Sequence, residues 1–479
     1  MLILIALLIP LLLHGQSPIE YRTEIGNAVG GGSYTPFYLL NNQHGMIGTD
    51  PMNGYIRMGV KRETEWNKRF SYGFRVDVVG RYNNSSPLLI QQLNAELKYR
   101  SLTLDVGAKE EFSLERNREL SSGSMTWSGN ARPIPQVRIG IPRYTTIPYT
   151  KGWLQVKAGL SYGWFMDNHY LRTTHGEKRD YAESILYHRK YLMLRIEKDK
   201  PFYGALGVDM AAQFGGTVYE YSTGKEVVHH FSSDLNAFLK VLVPTSGGKD
   251  APGIDQVNIS GNHLGTYNLM LGYKHTDKWS LELYHEHYFE DHSGMIFKNG
   301  FDGLWGLEFK RENQKWLSGL LVEFLMTKNQ SGPFLWDKTS AIPIQVSGGD
   351  DYYNNIYPGW THNGQSMGTP FITSPLYNGN GYLKFTNTRT MAFHLGAKGE
   401  LTDRLSYRLL CGYQQGWGTP KYPFTSIKHN FSMMLEASYY LNAQKEWYIS
   451  GSAGFDRGDL LGNNTGLLLK IGKVGIISR

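Results

Sequence analysis

After its first residues the chain falls into segments of about ten residues in which apolar and polar positions alternate, the pattern of a transmembrane β-strand. In 70–79, Phe70, Tyr72, Phe74, Val76 and Val78 share one face, and Gly73, Arg75 and Asp77 share the other. Leu93, Ala95, Leu97 and Tyr99 alternate with Asn94, Glu96, Lys98 and Arg100. The pattern returns over 154–162, 267–273, 316–326, 391–397, 405–413, 431–439 and 447–455, and runs on to Leu467, Leu469 and Ile471. Many segments begin or end in an aromatic: Trp279, Trp316, Tyr413, Tyr439 and Trp447. Belts at the two bilayer interfaces require that placement. The polar face carries Arg75, Asp77, Glu96, Lys98, Glu282, Glu286 and Arg408 with small residues between them, which suits a wet lumen. No Pro/Ser-rich linker interrupts the run. The pattern predicts an all-β fold, one large antiparallel outer-membrane β-barrel of about 16–18 strands. Short turns at 402–404 and 442–445 suit the periplasmic side. Long connections at 109–150, 172–190, 244–265 and 328–385 suit the exterior or the lumen.

Composition supports this and removes rivals. Of 479 residues 19% are charged and 13% aromatic, with 55 Gly and 32 Tyr. Mean hydropathy is −0.38. A helical membrane protein needs apolar runs of ~20 residues, and a disordered chain needs few aromatics. Residues 2–13 are almost wholly apolar and then turn polar. That run is too short to span a bilayer and fits a secretory signal peptide over 1–16, leaving 17–479 as a single barrel domain. The lone cysteine, Cys411, reads as a packing residue. The net charge of +7 is modest. The dense cations of 178–200 are interleaved with Glu177, Asp180, Glu183, Glu197 and Asp199, so they read as a solvated loop. Export excludes nucleic acid as a partner.

Several blocks resemble a known family. Residues 123–143 read GSMTWSGNARPIPQVRIGIPR, and 35–45 read TPFYLLNNQHG. With them go ILYHRKY at 185–191, GNHLG at 261–265 and GGDDYYNNIYPGWTHNGQSMGTPF at 348–371. In this order they resemble the Wzi family of outer-membrane capsule-assembly proteins, in its Bacteroidota-type form. The resemblance implies a barrel with a lectin-like role, attaching capsular polysaccharide or exopolysaccharide to the cell surface rather than exporting it. Residues 18–55 show no helical period to match the small helical bundle of the family's enterobacterial branch.

Residues 336–381 hold seven aromatics (Trp336, Tyr352, Tyr353, Tyr357, Trp360, Phe371 and Tyr377) and four charges (Asp337, Lys338, Asp350 and Asp351). Sugars present an apolar face and a rim of hydroxyls, so a site for them needs aromatic plates beside planar polar groups. Asp350, Asp351, Tyr352, Tyr353, Asn354 and Trp360 supply both, and are the expected polysaccharide contacts. The other reading is a loop folded into the lumen, its aromatics filling space. Arg132, Gln136 and Arg138 form a second candidate, since guanidinium forks match the carboxylates of acidic sugars. For either arginine alone, an internal ion-pair network is the competing reading. Pro133 and Pro135 delay the strand to about Gln136, placing Val137, Ile139 and Ile141 toward lipid and leaving Gln136 and Arg138 inward.

No enzyme is expected. His285, His287 and Phe289 fall on one strand face and Glu286 on the other, without a third metal ligand. Gly159-Leu160-Ser161-Tyr162-Gly163 matches a nucleophile elbow in letters only, because strand alternation continues through it. Neither a cofactor nor a metal is expected. The partners expected are the polysaccharide and outer-membrane lipid or lipopolysaccharide, with the protein a monomer. The rival functions are a solute channel through the charged lumen and a hydrolase at the barrel rim using His285, Glu286 or Asp350 and Asp351.

Overall fold

A computed structural model describes residues 17–176, 179–198, 201–222, 225–243, 261–275, 278–290, 292–312, 316–330, 335–336, 346–347 and 350–477. The expected signal peptide, 1–16, lies outside them, as do Asp337, Lys338 and most of 244–265.

Eighteen strands form one closed sheet. In chain order they are β1 (Ile19–Gly31), β2 (Asn53–Glu65), β3 (Phe70–Tyr82), β4 (Leu88–Tyr99), β5 (Leu102–Ala108) and β6 (Gln136–Thr146). Then come β7 (Leu154–Trp164), β8 (Leu186–Ile196), β9 (Phe202–Phe214), β10 (Asn262–His275), β11 (Trp279–Phe289) and β12 (Gly303–Arg311). The last six are β13 (Gly319–Met326), β14 (Thr390–Thr402), β15 (Leu405–Gly418), β16 (Pro423–Tyr440), β17 (Trp447–Gly458) and β18 (Asn464–Ile477). Each pairs antiparallel with the next, and β1 pairs with β18 from Ile19↔Ile477 to Gly31↔Thr465. Closure leaves no sheet edge, which is what a bilayer demands of a spanning sheet. The fold is a closed antiparallel β-barrel.

The alternation sorts side chains as the sequence predicts. Val137, Ile139, Leu206, Leu269 and Leu469 stand exposed on the outer wall. Gln136, Asp77, Asp105 and Glu286 are buried on the inner one. Trp66, Tyr99, Trp153, Phe202, Tyr439 and Trp447 are exposed near the short-turn end, a girdle at one interface. Some glycines and tyrosines are paired across neighbouring strands. At Gly272 and Gly306 the strand passes a ring of its neighbour so closely that a Cβ would meet Tyr203 at 2.0 Å and Tyr284 at 2.1 Å. Only glycine lets the tyrosine lie flat on the adjacent strand.

Short turns join even strands to odd at one end, and the long connections sit at the other. Outer-membrane barrels place long loops outside the cell, so the long-connection end is the external mouth. Three of these connections fold back into the barrel: 32–52, 109–135 and 350–389. The expected loop 109–150 is therefore shorter, because β6 begins at Gln136, where the two prolines release the ladder.

Candidate functional site

The mouth rests on a plug, and the plug is built from polar chain gripping lumenal charges. Between β5 and β6 the chain crosses the bore. Lys157 of β7 reaches Glu115 at 2.7 Å. Arg116 donates to Asn268 of β10 at 3.2 Å and its guanidinium lies 4.0 Å from the Tyr284 ring centre. Asn117 donates to Glu308 of β12 at 2.5 Å. Glu119 pairs with Lys398 of β14. Glu323 of β13 accepts from the Ser121 hydroxyl at 2.6 Å and the Ser122 N–H at 2.8 Å, and also from the Tyr284 hydroxyl. Ser124 donates to Glu286 of β11. One short segment thus satisfies the carboxylates of three neighbouring strands, β11 to β13, which a buried charge requires.

The connection from β13 to β14 closes the upper bore on top of this crossing. Tyr352, Tyr353, Tyr357 and Trp360 are all at most 1% exposed. Trp360 Nε1–H donates to the Thr126 carbonyl at 3.0 Å, and the Tyr357 hydroxyl to the Gly215 carbonyl at 3.0 Å. The Tyr353 hydroxyl donates to the Met125 carbonyl. Tyr352 accepts from Asn299 at 2.9 Å. Each ring fills space and each polar edge finds a partner, a backbone carbonyl for Tyr353, Tyr357 and Trp360 and the Asn299 amide for Tyr352, as buried Tyr and Trp must.

Above the plug lies an open cleft of about 990 Å³. Four connections line it. Arg179 and Asp180 come from the β7–β8 connection, and Glu220 and Tyr221 from β9–β10. The plug contributes Asp351, Asn354, Asn355, Asn380, Tyr382, Lys384 and Phe385. Lys421 and Tyr422 come from the turn between β15 and β16, with Phe424 of β16 beside them. Tyr422 is 64% exposed. The Arg179 guanidinium lies 5.3 Å from the Tyr382 ring centre, and Lys384 pairs with Asp180 at 3.1 Å. Three cations face three acids, so the cleft carries little net charge. Asp351 accepts from Thr388 Oγ1 at 2.6 Å and from Asn354 Nδ2 at 3.0 Å. Burial pushes its carboxyl above the ordinary aspartate range, opposed by those two hydrogen bonds and by the charges of Lys384 and Lys421. Asn354 also exchanges hydrogen bonds with the Phe385 backbone, 2.9 Å as donor and 2.8 Å as acceptor. Its amide is locked, and it shapes the cleft floor.

The structure separates the residues expected to bind sugar. Asp351 and Asn354 line the cleft. Tyr352, Tyr353 and Trp360 do not, a correction to their expected place: their rings face the interior of the plug, where no external polymer reaches them. Asp350 is half-buried beside them. Arg138 lies 2.5 Å from Asp105 and 3.6 Å from Glu111, the internal ion-pair network. Arg132 reaches the Ile90 carbonyl at 3.4 Å. Neither arginine lines the mouth. Burial lowers the Arg132 guanidinium from its ordinary value, with Asp167 opposing. The groups of the rim-hydrolase alternative do not converge. Glu286 is lumenal, while His285 lies on the outer wall stacked 3.7 Å from the Trp305 ring centre.

Sequence reasoning missed Tyr221, Tyr382, Lys384, Lys421, Tyr422 and Phe424. They come from separate connections, and only barrel closure assembles them. The one local signal was Lys421-Tyr422-Pro423-Phe424, two aromatics around a proline in a turn.

No family model matches the sequence, and no curated protein matches it. Among solved structures the chain is similar to Wzi, an outer-membrane protein involved in group 1 capsule assembly in Escherichia coli and described as a carbohydrate-binding β-barrel. The TM-score is 0.55 at 11% identity, over 99% of this chain and 87% of that one. It also matches OccAB4 of Acinetobacter baumannii (TM-score 0.47, 10% identity, 96% of this chain and 99% of that one). OmpF of Salmonella typhi follows at TM-score 0.41 and 10% identity, over 96% and 98%. At such identities the likeness speaks for the fold, which is that of the outer-membrane β-barrels.

Proposed function

We propose that this chain holds a surface polysaccharide, capsular or exopolysaccharide, in the external cleft of a plugged outer-membrane barrel, without turning it over. The carrying observation is the cleft: about 990 Å³, open at the mouth and floored by the plug. That is the upper end of the range for small-ligand sites, and suits a few sugar units of a longer chain. Tyr382 and Tyr422 offer faces for the apolar side of a sugar, Asn355 and Asn380 offer amides for its hydroxyls, and Arg179 and Lys421 attract any carboxylates. The carbohydrate binding described for Wzi agrees with this reading. In the same proposal residues 1–16 direct export, 17–479 act as one monomeric domain, and lipopolysaccharide surrounds the barrel.

Each aromatic contact is worth ~0.5–1.5 kcal/mol, taking aromatic pairs as the guide, so one site binds weakly. Retention comes from one polymer meeting many barrels. Cells lacking the protein should shed polysaccharide into the medium while synthesising it normally, and cells carrying Tyr382→Ala with Tyr422→Ala should do the same. Unchanged cell-bound polysaccharide in the deletion strain would overturn the proposal.

A further inference from the structure

Two of the long connections turn outward instead of inward. The first carries the helix Leu235–Leu242. Its Phe238 ring lies 5.0 Å from Tyr162 and 5.1 Å from Phe214, and the Tyr162 hydroxyl donates to the Phe238 carbonyl at 2.8 Å. Tyr162 shares the outer face of β7 with Leu154 and Leu160, and Phe214 shares that of β9 with the exposed Leu206. The helix therefore lies against the outside of the barrel. Lys190 confirms the side. It stands on the outer face of β8, in line with the exposed Leu192 and Ile196, a place where an ammonium group would meet hydrocarbon. Its Nζ donates to the carbonyls of Val241 at 3.0 Å and Leu242 at 2.6 Å. These are helix C-terminal carbonyls without intrahelical partners, and a cation there is favoured.

The side of this helix turned away from the barrel is apolar as well. Leu235 is 76% and Leu239 55% exposed, and Val243 beyond them 63%. In water that face would be a liability. The second outward connection, 292–302, does the same over the neighbouring strands. Its Phe297 ring lies 4.3 Å from His287 and 5.7 Å from Tyr267, both on outer faces, while Ile296, Phe297 and Phe301 remain exposed.

The height of these elements identifies what covers them. Ile196, at the bottom of β8, adjoins the girdle residue Trp153 through the Glu197 N–H, which donates to the Trp153 carbonyl. From Ile196 to Leu186 the strand climbs ten residues. At ~3.3 Å per residue and a tilt of ~45° this is roughly 23 Å along the membrane normal. The apolar band of such barrels is about 25 Å tall. The helix and the 292–302 connection thus sit at the upper edge of the band, continuous with it.

We propose that the two form a collar over β7–β11 lying in the outer leaflet, with the acyl chains of the leaflet lipid against Leu235, Leu239 and Phe297. Asn236 and Lys240, four residues apart, make the polar strip between the helix's two apolar sides, as interfacial helices require. The test is depth-dependent quenching in the full-length protein. Cys411→Ala frees the chain of its native thiol, and Leu239→Cys or Phe297→Cys then takes an environment-sensitive fluorophore. Leu206→Cys serves as the lipid-facing control and Tyr422→Cys as the control at the mouth. In phosphatidylcholine vesicles with chains brominated near the carbonyl end, both collar labels should be blue-shifted and quenched like the Leu206→Cys label. Emission and quenching like those of the Tyr422→Cys label, at either collar position, would overturn the proposal.

Discussion

Replacing Trp360 by alanine separates packing from sugar recognition, because the two roles give different results of different size. Trp360 is wholly buried and its indole N–H donates to the Thr126 carbonyl at 3.0 Å. As a packing residue it joins the upper plug to the crossing segment. Truncating such a ring costs about 3–5 kcal/mol, and the Thr126 carbonyl loses its partner besides. At ~1.4 kcal/mol per decade, the open fraction of the plug rises by roughly two to three and a half decades. The barrel itself should persist, since Trp360 lies outside its ladder. As a sugar plate, Trp360 would instead cost only ~0.5–1.5 kcal/mol of binding, about 2- to 12-fold, and would leave the plug untouched. Planar-bilayer recording measures the first effect and glycan titration the second. Wild-type protein should show no large stable openings, and Trp360→Ala should flicker open while its folded barrel still resists detergent. A variant that loses glycan binding yet keeps wild-type conductance and wild-type protection of the plug from protease would refute the packing argument.

Tyr422→Ala and Tyr382→Ala should behave in the opposite way. Each should weaken single-site glycan binding about 2- to 12-fold in titration and stay silent in the bilayer. Glu323→Leu strands three buried donors at ~1–3 kcal/mol each, so residues 119–123 should become open to protease; unchanged protection would mean the crossing is held elsewhere. Asp302 accepts from the Asn329 N–H at 3.1 Å and the Gln330 N–H at 2.5 Å, and burial pushes its carboxyl up to about 7 against those bonds. Its folded value lies above the unfolded one, near ~3.9, so its contribution is fully present below that value and lost as pH rises through about 7. Proteolysis at 328–330, the segment Asp302 holds, should therefore speed up as pH passes about 7, and Asp302→Asn should flatten the profile.

The strands were legible because lipid on one side and a wet lumen on the other impose a period of two on every one of them. The same rule placed Val137 and Ile139 outside, Gln136 and Arg138 inside, and His285 opposite Glu286. The direction of each connection was not legible. Aromatic rings among Asn, Ser and Gly describe a sugar site, but they also describe a plug in a charged bore, where each ring must fill space and each edge must find a backbone partner. Tyr353 and Trp360 satisfy both descriptions equally until the Met125 and Thr126 carbonyls are seen beneath them. The cleft was hidden for another reason. Its residues come from four connections spread from Arg179 to Tyr422, and nothing local ties Tyr382 to Tyr422.

A physical distinction does separate the connections once their destinations are known. The segment that crosses the bore, SSGSMTWSGN at 121–130, is mostly hydroxyls and glycine, with Met125 and Trp127 as its large apolar side chains. It has to meet Glu286 and Glu323, carboxylates that cannot stay buried without donors. The helix against the outer wall reads LNAFLKVL at 235–242, with apolar residues on two sides and no acid. It meets Tyr162 and Phe214, which need no donors. A connection entering the lumen must supply hydrogen bonds to the wall, and one folding over the rim must supply hydrocarbon. The donor content of a long loop, set against the charges of the lumen beside it, thus decides which side of the barrel it can cover.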